Sequence, residues 1–161
     1  MTRLALFLLG LALAACSPGA PGGTLVTGDS ALAGAYSRSR VISDHPHHVL
    51  LGHVAVIRRG DGVTRALIVA QRRDGVHRLS YREAWQTGHE LPWSRLDRTT
   101  DGCLAGTCRN RTLGMIALSP AMMDHAARHG LSATLIGRHG AIAIHAPAAL
   151  FSDAADRDRA R

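Results

Sequence analysis

Two apolar runs, VLLGHVAVIR at 49–58 and TRALIVAQ at 64–71, with the segment RGDG at 59–62 between them, decide the fold of this chain. Both runs are rich in apolar and β-branched residues, which favour strands. Gly and Asp residues between two such runs are typical of a hairpin turn. The sequence therefore predicts an antiparallel β-hairpin over these residues.

Further strands and one main helix are predicted outside the hairpin. The strands are expected at 76–80, 112–118, 131–137 and 141–145. The main helix is expected between Ser119 and Gly130, because Ser119 fits the N-cap, Pro120 the first helical position and Gly130 the position just past the end. A last helical turn is expected at 147–151.

A second, short helix is predicted from Tyr81 through Trp85, because Ser80 and Glu83 have the spacing of a capping box. The order of elements fits an α+β domain with a small, mostly antiparallel sheet, one main helix and one short helix. The strand–helix–strand order over 112–137 would also allow one parallel crossover, so a mixed sheet is an alternative.

The N-terminus carries an export pattern. Arg3 precedes an uncharged apolar segment at 4–14, which is too short to cross a bilayer as a helix, and Leu13-Ala14-Ala15-Cys16 closes it. This segment resembles the signal peptide of bacterial lipoproteins. The resemblance implies cleavage before Cys16, lipidation of that residue, and a membrane partner through the lipid anchor. Because Ser17 rather than Asp follows, it favours the periplasmic face of an outer membrane if the host is Gram-negative.

The composition divides the chain into four parts. Residues 1–15 are predicted to be the signal peptide. Residues 16–40 are rich in Gly, Pro, Ser and Ala and are predicted to be the acylated cysteine followed by a flexible tether. Residues 41–151 read as one α+β domain. Residues 152–161, SDAADRDRAR, read as a charged, disordered tail.

The net charge is +7, and each of the 19 basic residues is an arginine. A chain without lysine usually reflects GC-rich coding, and the alternative is recognition of an anionic surface by guanidinium groups. The arginines are dispersed and interleaved with Asp, which argues against a nucleic-acid partner.

Three cysteines fit an exported protein. If Cys16 carries the lipid, Cys103 and Cys108 are left as a pair. In an oxidising compartment we expect these two residues to form a disulfide that closes a short loop.

Ten histidines suggest a metal-binding alternative. His45, His47 and His48 are closely spaced before the first run, and a solvated loop is the competing interpretation. His125 and His129 lie one helical turn apart, as in a chelating pair, although no third ligand is near them in sequence. The expected cofactor is none, and the alternative is a divalent transition metal.

The aromatic residues Tyr81, Trp85 and Trp93 have two interpretations. With aromatic residues at only 4% of the chain, we expect these three to fill the core beside the disulfide. The alternative is a recognition surface for an envelope protein or glycan. That surface would be formed by Trp85, Trp93, Arg95 and Arg109.

Motifs for catalysis are missing from the sequence. It contains no Gly-x-Ser-x-Gly segment, no Ser-x-x-Lys and no Gly-rich phosphate loop. The leading hypothesis is therefore a non-enzymatic, lipid-anchored envelope domain that binds a partner or supports structure, with no catalytic residues. A periplasmic metal-binding protein is the alternative. An enzyme whose Asp, His and Arg converge from distant positions is a weaker third possibility.

Overall fold

A computed structural model describes residues 25–27, 30–32, 34–45, 48–72, 79–96, 110–138 and 140–160. The described elements, in chain order, are strands β1 (Leu25–Thr27), β2 (Ser30–Leu32), β3 (Gly34–Tyr36), β4 (Arg40–His45), β5 (His48–Arg59), β6 (Gly62–Arg72), β7 (Tyr81–Gln86), β8 (His89–Leu91), β9 (Trp93–Arg95) and β10 (Asn110–Ala117), helix α1 (Pro120–His129), strands β11 (Leu131–Gly137) and β12 (Gly140–Ala146), and helix α2 (Ala148–Arg159).

These elements form an α+β structure with antiparallel sheets. A six-stranded sheet has the order β3-β5-β6-β10-β9, with β4 paired to the other half of β5, and a four-stranded sheet has the order β12-β11-β7-β8. β1 and β2 pair with each other as a separate hairpin. Only Pro92 separates β8 from β9, so the chain passes from one large sheet to the other at that residue.

The predicted central hairpin is confirmed. β5 and β6 pair from Leu50↔Gln71 to Arg59↔Gly62, and Gly60 in the two-residue turn has a positive φ of 56°. That conformation is the one that glycine adopts without steric cost.

The main core lies between the two large sheets. Successive side chains of a strand point to opposite faces, so alternate residues of each sheet meet there. Its fully enclosed members include Leu67 from the six-stranded sheet, Leu135 from the four-stranded sheet and Phe151 from α2. A second, smaller cluster of Tyr36, Ala55 and Ile68 lies on the other face of the six-stranded sheet.

Helix α1 follows its sequence signals. Ser119 accepts a hydrogen bond from the Met122 N–H at 3.1 Å, Pro120 is the first helical residue, and Gly130 ends the helix at φ 78°. Met123 and Ala126 are buried, as the apolar face of the helix predicts.

The short helix predicted after Ser80 is wrong. Residues 81–86 form β7, which makes a hairpin with β8 and also pairs with β11. The turn between β7 and β8 is Thr87-Gly88, with positive φ at both residues (47° and 82°), which suits a two-residue hairpin. A six-residue segment is also too short to gain much from helix propagation, so strand pairing prevails.

Both ends of the folded body extend beyond the predicted domain of 41–151. β3 and β4 begin within the predicted tether, at Gly34 and Arg40. The predicted disordered tail is instead helical through Arg159, because Leu150, Phe151 and Ala154 bury one side of α2.

Acidic residues on the side of α2 that does not face the core form ion pairs with arginines. Arg58 of β5 donates two hydrogen bonds to Asp158, at 3.1 and 2.7 Å. Asp153 accepts hydrogen bonds from Arg157 at 2.8 Å and from the Arg38 N–H at 2.9 Å. Burial by itself would raise the pKa of Asp153, but these donors outweigh it and lower the pKa overall.

The parallel crossover considered for 112–137 does not form, because β10 and β11 belong to different sheets. All strand pairings among the described residues are antiparallel. Most of the strand predicted at 76–80 lies outside the described residues, as do Cys103 and Cys108. Their disulfide stays a prediction.

Candidate functional site

An open groove of about 530 Å³ lies on the outer side of the four-stranded sheet. Its lining comes from the end of β7 and the turn after it, from β11 and β12, and from β4 of the other sheet. The lining residues are Ile42, Ser43, Trp85, Gln86, Thr87, Ser132, Ala133, Thr134, Ala143, Ile144 and His145.

Trp85 is the largest side chain of the groove. Its neighbour Ala84 is fully buried in the core, so Trp85 points to the opposite, outward face of the sheet. The indole Nε1–H donates to the Glu83 carboxylate at 2.9 Å. Glu83 is two residues earlier in β7 and therefore on the same face of the sheet. The hydrogen bond thus restrains the indole of Trp85 toward Glu83. Trp85 has two cross-strand neighbours: Glu90 on β8, and Thr134 on β11, whose own partner on β12 is Ala143.

Two polar side chains meet at the far side of the groove. Ser132 and His145 are cross-strand partners, and the serine Oγ lies 2.8 Å from the histidine Nδ1. A nucleophilic serine needs a base that a third group orients, usually a carboxylate. The described residues that line the groove include no Asp, Glu or Arg. The convergence of Asp, His and Arg that would favour an enzyme is thus not found in this groove.

Among the described lining residues of the groove, His145 is the only ionisable side chain, although the chain carries a net charge of +7. Its polar groups are hydroxyls, one amide and one imidazole, each able to donate or accept a hydrogen bond. The arrangement therefore suits a neutral, polar ligand better than a strongly charged one.

A second, smaller hollow of about 280 Å³ lies on the same sheet, lined by Arg82, Glu83, Ile136, Gly137 and Arg138. Glu83 belongs to this hollow and also holds Trp85, so the two depressions adjoin. Ile136 is 38% exposed there.

Trp93 has a structural role and does not share a surface with Trp85. It is half-buried against the main core, and its Nε1–H donates to the Tyr81 carbonyl at 3.3 Å. Tyr81 itself is buried, which raises its pKa to about 12. The predicted recognition surface is therefore divided: Trp85 faces outward, Trp93 faces the core, Arg95 is exposed on β9, and Arg109 lies outside the described residues.

The first histidine group lies around the turn that joins β4 to β5. His45 and His48 are cross-strand partners, and the His45 side chain is exposed. His47 lies outside the described residues. The interpretation of this group as metal ligands stays a prediction.

The second histidine group lies on α1. His125 and His129 are both exposed, with ring centroids 4.7 Å apart. Within the described part of the chain, no group of three or more His, Cys, Asp or Glu side chains is placed to hold a metal. The pair therefore supplies two ligands, and metal binding by it stays a prediction.

His53 is a half-buried histidine on the face of β5 opposite the main core. Its Nε2 atom is enclosed and has no hydrogen-bond partner among the described residues, and burial lowers its pKa to about 4. The Tyr36 ring lies nearby, at a centroid distance of 6.5 Å. The neutral imidazole thus behaves as a core residue.

Sequence reasoning singled out Trp85 but missed the groove around it. The outward positions Ser132, Thr134 and His145 follow from the alternation in β11 and β12. Only the register between β7 and β11 places them beside Trp85.

No helix of the described residues is long and apolar enough to span a membrane. Comparison with protein-family models, with characterised proteins and with solved structures finds no match for this chain.

Proposed function

We propose that this chain is a non-enzymatic binding module, held at a bacterial cell envelope by a lipid on Cys16, and that it binds an envelope component through the groove at Trp85. The anchor is supported by the lipoprotein-like segment at the N-terminus. Binding is supported by the geometry of the outward face of the four-stranded sheet.

The observation that carries the proposal is the position of Trp85. Of the two tryptophans, Trp85 lies outside the main core and stays half-buried on the outward face, where part of its apolar surface remains in contact with water. Its indole is fixed by Glu83, so little side-chain entropy is lost when a ligand packs against it. Rigid tryptophans in grooves with polar rims are the side chains that most often dominate binding energy.

The surrounding face is available for contact. Ser132, Ala141, Ala143 and His145 are exposed, and both helices bury their apolar sides in the main core. We therefore assign Trp85 to binding and Trp93 to the core.

The anchor is tested on the full chain expressed in a bacterial host. Mass spectrometry should find a mature protein that begins at Cys16 and carries fatty acyl groups, and Cys16→Ser should abolish the modification. An intact Met1 with an unmodified Cys16 thiol would refute the anchor.

Binding is tested by co-sedimentation of the purified Cys16→Ser protein, which carries no lipid, with increasing amounts of envelopes from a strain that lacks the protein. Trp85→Ala should raise the apparent Kd at least about fivefold, because loss of a central tryptophan costs about 1 kcal/mol or more and each 1.4 kcal/mol corresponds to a factor of about ten in Kd. Val41→Ala is the matched control, because Val41 is a 49% exposed apolar residue outside the groove. Equal retention of both variants would refute the role of the groove.

A further inference from the structure

We infer that the groove at Trp85 takes a neutral glycan chain, with one sugar ring stacked on the indole. The inference rests on the proposed function, because it names the class of ligand for the same site. Three properties of the groove carry it: its charge, the fixing of its aromatic ring, and the chemistry of its polar groups.

The charge of the groove selects against acidic polymers. Recognition of carboxylates or phosphates in proteins relies on guanidinium groups that approach the anion directly. Among the described residues no arginine lines the groove, and the charged side chains nearest to Trp85 are the carboxylates of Glu83, bonded to its indole, and of Glu90, its cross-strand neighbour on β8. A strongly positive protein with a neutral groove is suited to an uncharged ligand at that place.

The half-buried aromatic ring of Trp85 gives the groove apolar surface. The Nε1–H of Trp85 is already bonded to Glu83, so the indole contributes packing area rather than a free donor. Thr134 and Ala143, in line with it on the next two strands, are too small to cover the ring. The C–H faces of pyranose rings pack on such an aromatic surface through dispersion and burial of apolar area.

The polar groups match sugar hydroxyls. Ser43, Thr87, Ser132 and Thr134 carry hydroxyls, and Gln86 carries an amide, so each can both donate and accept, as a sugar hydroxyl does. Together with His145 on β12, these groups extend from β7 across β11 to β12, a width of about 10 Å at two strand spacings. The groove is therefore wide enough for a short run of sugar rings.

An extended peptide is the competing occupant, and the topology disfavours it. Peptides commonly add a strand to a free sheet edge. β12 is the edge of the four-stranded sheet on this side, but β4 of the other sheet lies beside it without forming a ladder, and both contribute to the groove. A strand added to β12 would have to displace β4.

The test is isothermal titration of the lipid-bearing full protein in detergent with defined oligosaccharides. The probes are β-1,4-linked pentamers of N-acetylglucosamine and of glucose, and an α-1,4-linked glucose pentamer is the control for general affinity to hydroxyls. We expect binding of a β-linked pentamer that is at least about tenfold tighter than binding of the α-linked one. We also expect it to be unchanged between low and high salt, because no ion pair is involved.

Variants locate the site. Trp85→Ala should weaken binding at least about tenfold, Trp85→Tyr should restore most of it because a stacking ring is kept, and Val41→Ala should have no effect. Glu83→Ala should weaken binding less than Trp85→Ala, since the ring is freed rather than removed. Circular dichroism checks that each variant is folded. If Trp85→Ala does not fold, the comparison of Trp85→Tyr with the unchanged protein still tests the role of the stacking ring.

The inference is overturned if neither β-linked pentamer binds, if binding disappears at high salt, or if Trp85→Ala binds as well as the unchanged protein. Protease treatment of the envelopes distinguishes a groove that binds a ligand other than a glycan from a groove that binds no envelope component. Trp85-dependent sedimentation that protease abolishes would identify a protein partner: the glycan inference would be refuted and the binding function retained.

Discussion

Burial of His53 makes the stability of this domain depend on pH in the acid range. The enclosed imidazole has a pKa of about 4 in the folded protein and 6.5 when exposed, because burial disfavours its charged form. The unfolded chain therefore binds a proton at this residue more readily than the folded chain does. The contribution of His53 to the free energy of unfolding is therefore fully present above pH 6.5. It falls as the pH is lowered from 6.5 toward 4 and stays constant below about pH 4.

The size of the effect follows from the two pKa values. Each pH unit between them corresponds to about 1.4 kcal/mol, so the whole interval from 6.5 to about 4 corresponds to about 3 kcal/mol. A domain of this size is stable by about 5–15 kcal/mol, so one histidine would remove a substantial part of the total. His53→Phe keeps a flat ring beside Tyr36 and Ile68 but has no ionisable group.

The assay is urea unfolding of the unchanged protein and of His53→Phe at several pH values between 7 and 4. The difference in unfolding free energy between the two proteins should change by about 3 kcal/mol across this range, in favour of the variant at low pH. Carboxylates titrate in both proteins and cancel in the difference. His89→Gln, at an exposed position of β8, is the control. A difference between unchanged protein and His53→Phe that is constant with pH would refute the reasoning.

Two further predictions concern the helices. Phe151→Ala should cost about 3–5 kcal/mol in urea unfolding, because it removes a fully enclosed aromatic side chain of α2 from the core; a loss below about 1 kcal/mol would show that α2 is dispensable. Titration of the untagged protein with Zn²⁺ should show only weak binding by His125 and His129, because two imidazoles supply half of a tetrahedral set, and His125→Ala should abolish it. Tight, stoichiometric Zn²⁺ that survives this substitution would place a metal site elsewhere.

The correct sequence predictions rest on signals that act over a few residues. Ser119, Pro120 and Gly130 define the two ends of α1 through capping and backbone preferences, which depend only on neighbouring positions. The β5–β6 hairpin likewise follows from two strand-forming runs and a turn in which glycine takes a positive φ. Such local preferences survive in the folded protein because the core reinforces them.

The incorrect predictions arise where a local signal competes with a distant contact. Ser80 and Glu83 match a capping box, yet Glu83 instead pairs with Ile136 in the sheet and binds the Trp85 indole. The charges of α2 suggest a solvated tail, yet Arg58, 100 residues away, pairs with Asp158. Ile136 and Arg58 lie far along the chain from these residues, so no local window of the sequence contains them.

The amino-acid sequence alone was sufficient for the α+β class with a mostly antiparallel sheet, for helix α1 and for the expectation of a lipid on Cys16, since each depends on composition or on residues close together in the chain. Only the tertiary structure decided which aromatic side chain faces the core and which faces the groove. The register of β7 on β11 sets the direction of Trp85, and a shift of one residue would reverse it. That register is fixed by packing of both sheets around one core, an interaction of the whole chain.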